Sequence, residues 1–152
     1  MRKEDNEYCR KLGANFITRF DAFRAIEARC LESTKNPAIA PEAWVLLEDL
    51  ELAYAARAYT ACFCLACAMI EIHLRRLAKV KATKLKFMLK EVGLETELGW
   101  LGEMRNDIMH GNPSPFISPH RMQEDERQLE ELCTKAFIAI HTIAARTSAT
   151  QV

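Results

Sequence analysis

The chain has 152 residues, 49% of them apolar and 28% charged, which is the size and balance of one folded domain around one core and excludes a disordered tail. Lys plus Arg and Asp plus Glu each number 21, so the general attraction of a strongly basic domain to nucleic acid is excluded and only local contact remains. No apolar run reaches the roughly eighteen residues of a membrane span, and Met1-Arg2-Lys3-Glu4-Asp5 lacks the apolar stretch of a signal peptide; we expect a cytoplasmic protein with no membrane partner.

Tyr8, Leu12, Phe16, Phe20, Phe23, Ile26 and Cys30 recur every three or four residues with charges between them, which predicts an amphipathic helix over about residues 4–32. Asn36-Pro37 interrupts it, and Pro41 followed by Glu42 suits the first turn of a second helix, where the dipole favours negative charge. No glycine or proline follows until Gly93. The segment from Glu42 to about Val80 therefore reads as one long helix or as two with a joint near Ala58 to Thr60. A short helix is predicted from Thr83 to Glu91, ended by Gly93 in the left-handed conformation. In the next helix Leu94, Leu98, Leu101, Arg105 and Ile108 fall on one stripe, which puts the arginine in line with the buried face. Gly111, Pro113 and Pro115 stop this helix directly after His110. A last helix is predicted from about Pro119 to Thr147, with Leu129, Leu132, Cys133, Ala136, Phe137, Ile140 and Ala144 as its apolar face. Strand alternation, internal repeats and low-complexity segments are absent, so residues 1–152 are expected to form an all-α fold, a single helical bundle of four to five main helices.

The six cysteines lie mostly inside apolar helical pattern and read as reduced, buried thiols. Cys64 and Cys67 are three apart and can face the same way on a helix, but zinc needs further ligands and no second close pair of Cys or His stands nearby. His73, His120 and His141 are scattered, and a packed imidazole is the better reading of His141, which lies beside the apolar stripe of the last helix. Trp44 and Trp100 read as core or interface aromatics. No phosphate-cradling glycine loop, serine-nucleophile signature or supported carboxylate pair appears, so neither metal nor cofactor is expected.

The most informative stretch is Arg105-Asn106-Asp107-Ile108-Met109-His110. Residues four apart on a helix lie one above the other, so Asn106 and His110 share a face, while Arg105 is turned about a hundred degrees away with a side chain long enough to swing back. His110 occupies the last turn, where the negative end of the dipole favours imidazolium, and Gly111 lets the backbone turn away and leave the ring accessible. A cation beside a titrating imidazole suits phosphodiester chemistry: histidine moves protons near neutral pH, and guanidinium grips phosphate oxygens while neutralising charge that grows in the transition state. Asn106 can hold the imidazole or contact phosphate through its amide, and Asp107 either orients His110 or is solvated. The plainer alternative is that Arg105 pairs with Glu71 in the core and His110 merely caps terminal carbonyls.

Arg-Asn-x-x-x-His followed by Gly, at the end of a helix in a small helical domain, resembles the signature of the HEPN superfamily. The segment from Ala55-Ala56-Arg57-Ala58-Tyr59 to Ala68-Met69-Ile70-Glu71-Ile72-His73-Leu74-Arg75 is similar to the long second helix of several prokaryotic HEPN families, including its mid-helix glutamate. The likeness spans roughly residues 42–147 and leaves the N-terminal helix unexplained. It implies a HEPN-like bundle, a homodimer, and a metal-independent endoribonuclease used in toxin, antiviral or stress-response systems, with RNA as substrate and an antitoxin or other regulatory protein as a further partner. Carried over, Arg105 and His110 are catalytic, Asn106 assists and Glu71 is a supporting residue; a supporting role for Asp107 comes from its place beside the motif and not from the resemblance. The resemblance also admits a non-catalytic module for protein or nucleotide binding and dimerisation, and a helical regulator is the remaining alternative.

Between His73 and Lys90 stand Arg75, Arg76, Lys79, Lys81, Lys84, Lys86 and Lys90, with no acidic residue among them. This stretch is the best candidate for contact with an RNA backbone, weighed evenly against a solvated helix end and loop. The acidic residues Glu124, Asp125, Glu126, Glu130 and Glu131 at the start of the last helix are expected either to serve the dipole or to pair with that basic face.

Overall fold

The computed structural model describes the backbone of residues 3–35, 39–76, 79–117 and 123–149, and the side chains among these except those of residues 3–12, 123–124 and 148–149. Expectations resting on Tyr8, Leu12, Asn36, Pro37, Pro119, His120 and Glu124 fall outside that description. The chain runs α1 (Lys3–Ser33), α2 (Pro41–Trp44), α3 (Leu47–Ala55), α4 (Tyr59–Arg76), α5 (Leu85–Glu91), α6 (Glu95–His110) and α7 (Gln123–Ala149). Among the described residues no strand forms, and Ser114 and Ile117 make one isolated bridge. The fold is an all-α bundle, and the described residues form seven helical segments, two of them under eight residues, where four to five main helices were expected.

The extra segments come from the stretch after Pro41, which breaks twice. One break, at Val45–Leu46, leaves α2 only four residues long. The other lies at Ala56–Ala58, where Arg57 adopts a left-handed φ of 60° and the Ala58 amide reaches back to the Ala53 carbonyl at 2.8 Å. A side chain in that conformation costs about 1–2 kcal/mol. Arg57 offsets part of this through an ion pair with Glu126 of α7 at 2.9 Å, and Arg19 of α1 donates to the freed Ala55 carbonyl at 3.0 Å. Gly93 ends α5 as predicted, with φ 72°, and the Leu94 amide bonds the Leu89 carbonyl at 2.8 Å.

One apolar core gathers residues of every helix around α4, which contacts α2, α3, α5, α6 and α7, while α1 lies against α3 and α7. Phe63 of α4 is fully buried and meets Trp100 of α6 at 6.0 Å and Phe116 of the following loop at 4.8 Å between ring centroids. Burial of such a ring contributes roughly 1.5–3 kcal/mol, so this triplet fixes where α6 ends relative to α4. Phe23 of α1 packs on Phe137 of α7 at 4.4 Å, as its apolar stripe predicted. Trp44, by contrast, is 37% exposed and lies outside the core. Arg146 of α7 clasps both carboxylate oxygens of Glu97 at 2.9 Å, tying the start of α6 to the end of α7.

His73 and His141 are buried in this core, as the packed-imidazole reading of His141 expected. The Ala40 amide donates to His73 Nδ1 at 3.3 Å, so the ring proton sits on Nε2 and donates to the Thr147 hydroxyl at 2.7 Å; that hydroxyl donates onward to the Ile143 carbonyl at 2.9 Å. The neutral ring thus joins the start of α2 to α4 and α7. Burial lowers the pKa of both histidines below the ordinary 6.5. The unfolded chain then binds these protons more readily than the folded one. Stability is fully present above that value and falls as pH drops through it toward the folded pKa. Urea unfolding at about pH 8 and about pH 6 should show the lower midpoint at the acid value, and His73→Gln should flatten the difference. A midpoint that rises on acidification contradicts this account.

Candidate active site

The helix that carries the motif ends because Gly111 turns left-handed, with φ 67° and ψ 23°. The Asn112 amide then reaches the Asp107 carbonyl at 2.8 Å, and the Gly111 amide reaches that of Ile108 at 3.3 Å. These two bonds satisfy carbonyls that a helix terminus leaves open, so His110 is not needed to cap them. Its ring is exposed in the last turn of α6, as expected.

Arg105 lies on the same stripe as Leu98 and Leu101, and the structure turns it toward α4. Its Nη1 stands 2.8 Å from Glu71 Oε1, with the arginine side chain 35% and the glutamate 15% exposed. Glu71 Oε1 is sealed from solvent and accepts no aligned hydrogen bond, so charge rather than hydrogen-bond geometry holds the pair. The plainer alternative foresaw this contact, and the resemblance foresaw a role for the same glutamate. Arg105 also sits close enough to Cys64 and Cys67 to pull their thiols down, although burial, the larger effect, pushes both up. Cys67, fully buried and held in the protonated form, is thereby kept unreactive.

Beside Arg105 the face of α6 and the first turn of α5 enclose a groove of about 540 Å³, lined by Arg105, Asn106 and His110 from the motif. The structure therefore brings all three predicted catalytic residues to one concave surface. Asp107 is turned elsewhere: its carboxylate accepts from the Asn112 side-chain amide at 3.1 Å, which steadies the helix end.

Of the basic stretch, Lys84 and Lys86 line the groove, and Lys86 Nζ is held by Glu103 at 2.9 Å. The others are spread. Arg75 donates to the Thr83 carbonyl at 3.4 Å, Arg76 pairs with Glu42 at 3.3 Å, Lys79 turns the chain with φ 53°, and the Lys81 amide donates to Glu91 at 3.3 Å. Two carboxylates at the acidic start of α7 are engaged away from this stretch: Glu126 holds Arg57, and Glu130 accepts the Tyr54 hydroxyl at 2.9 Å. Through these two contacts the start of α7 faces α3 and its joint.

Of the groove-lining residues that the sequence reading did not assign to a site, Phe87, Met109 and Gly102 bear most on its shape. Phe87 is 51% and Met109 67% exposed, and both line it. The signal for Phe87 was present, because Leu85, Met88 and Leu89 form the buried stripe of α5 and position 87 lies off it. Gly102 forms the floor. A Cβ there would stand 2.9 Å from the Lys86 backbone nitrogen, so only glycine allows α5 and α6 to approach this closely.

Compared with known proteins, the chain matches no family model, no curated protein and no solved structure.

Proposed function

We propose that this protein is a metal-independent endoribonuclease of the HEPN type, cleaving RNA by attack of its own 2'-hydroxyl. The observation that carries this reading is the meeting of Arg105, Asn106 and an exposed His110 on one groove at a helix end. RNA supplies the nucleophile, so the protein needs a base, an acid and a stabiliser of anionic charge. A base takes the 2'-hydroxyl proton, O2' bonds to phosphorus, the bond from phosphorus to O5' breaks, and an acid returns a proton to O5'. The guanidinium neutralises the charge that grows on the phosphoryl oxygens. Glu71 is a positioning residue that holds Arg105 at the groove edge while leaving part of the guanidinium open.

A single imidazole fills one proton-transfer role at a time. A two-fold homodimer supplies the second His110, because a self-complementary interface presents the same groove twice. Such an enzyme belongs in a toxin, antiviral or stress-response setting, with an antitoxin or comparable protein restraining it.

Incubation of purified protein with single-stranded RNA in excess chelator should give fragments ending in 2',3'-cyclic phosphate and 5'-hydroxyl. Fragments bearing 5'-phosphate, or intact RNA, would sink the reading. The Glu71 contact also favours a second one, in which the neutralised Arg105 is a structural strut and the groove belongs to a non-catalytic binding module. Intact RNA together with strong destabilisation by Arg105→Ala would support that alternative.

A further inference from the structure

We infer that the groove between α5 and α6 is a base-stacking subsite for single-stranded RNA, in which Phe87 receives a nucleobase and Lys84 the phosphate next to it. The inference rests on the ribonuclease reading for its ligand and adds the form of RNA that the site accepts. Phe87 and Met109 are among the few large apolar side chains left open to solvent, and both face the groove that holds His110. An exposed ring on a helix flank offers a flat surface that any base can cover. Lys84 has no ion-pair partner among the described residues, whereas Lys86 beside it is occupied by Glu103 and Arg105 by Glu71. One uncommitted cation next to one open aromatic matches one phosphate next to one base.

The shape argues the same way. A volume of about 540 Å³ suits a nucleotide, and small-ligand sites run roughly 300–1,000 Å³. A protein partner would need roughly 800 Å² of contact on each side, far more than two exposed apolar side chains beside Lys84 and Lys86 supply. A base held in a duplex cannot reach the ring, because both its faces are already stacked. The subsite therefore selects unpaired RNA and positions its backbone against Arg105 and His110.

The test uses the full chain with His110→Ala to prevent turnover, in chelator, and reads fluorescence anisotropy of a labelled single-stranded oligouridylate about ten nucleotides long. Adding Phe87→Ala should weaken binding about tenfold, and Phe87→Trp should keep it at or above the parent value. Lys84→Ala should weaken binding severalfold and lower the slope of log affinity against log salt by about 0.7, as loss of one phosphate contact on a single strand requires. The same sequence as a duplex should compete poorly. The inference falls if Phe87→Ala binds like the parent, if the duplex competes equally, or if Phe87→Ala changes only the oligomeric state seen by sedimentation. The two readings fail separately. His110-dependent cleavage that ignores Phe87 removes the subsite alone, while Phe87-dependent binding without cleavage removes the nuclease and leaves the subsite.

Discussion

Replacing His110 by alanine should slow RNA cleavage about 10²–10⁴-fold, the range that a positioned proton-transfer group contributes. The melting temperature should stay where it was, because the ring is exposed and the carbonyls of its turn are satisfied by the Gly111 and Asn112 amides. Arg105→Ala should also abolish most activity, by about 10²–10³-fold, since it removes the donor to the developing phosphorane charge. Unlike the histidine variant it should cost stability, about 1–3 kcal/mol, because Glu71 Oε1 is sealed from water and loses the guanidinium beside it. Arg105→Lys keeps the charge but not the planar fork and should recover stability better than rate. The decisive comparison is initial rate in chelator alongside thermal unfolding for each variant. Equal residual activity in the histidine and arginine variants and in the parent would identify a contaminant as the source.

The second large effect concerns two glycines of α6 that look equivalent in the sequence. Alanine in a helix interior is better than glycine by about 0.8–1.0 kcal/mol, so both Gly99→Ala and Gly102→Ala should stabilise if propensity alone decided. At Gly99 the nearest group to a new Cβ is Glu95 Cγ at 3.7 Å, an ordinary contact, and the gain should appear. At Gly102 the new Cβ meets the Lys86 backbone at 2.9 Å, and backbone cannot step aside as a flexible side chain can. Overpacking of this kind costs about 1–3 kcal/mol, which exceeds the propensity gain and reverses the sign. Because Lys86 lies in α5, the helix that faces the motif across the groove, Gly102→Ala should also lower the cleavage rate, by as much as about 10²-fold if α5 shifts by an ångström. Gly99→Ala should leave the rate alone. Denaturant midpoints of opposite sign for the two variants, with a rate loss in one only, would establish the close approach; matching signs would discard it.

The helices were legible because their apolar positions keep the helical period: Phe16 to Cys30, Leu94 to Ile108 and Leu129 to Ala144 each mark a buried face that the structure reproduces. The stops were legible where glycine made them, at Gly93 and Gly111. They were not where a basic residue did the same job. Lys35, Arg57 and Lys79 all carry left-handed φ values, 54°, 60° and 53°. Their propensity argues against that conformation, and at Arg57 the pair with Glu126 offsets it, so the sequence offered a joint near Ala58 to Thr60 only as the alternative to one long helix, and the structure breaks at Ala56–Ala58. For the site, spacing placed Arg105 on the inner stripe and His110 at the terminus. The groove wall is different in kind: Phe87 and Lys84 come to the motif through the packing of α5 on α6, which depends on one missing methyl at position 102.

The guanidinium of the motif is anchored by a carboxylate thirty-four positions earlier in the chain, on another helix. A peptide or chimera carrying only the Glu95–His110 segment would reproduce the signature yet leave its arginine untethered. Moving the anchored arginine into a different scaffold consequently requires both helices and the angle between them, which matching letters in one helix do not supply.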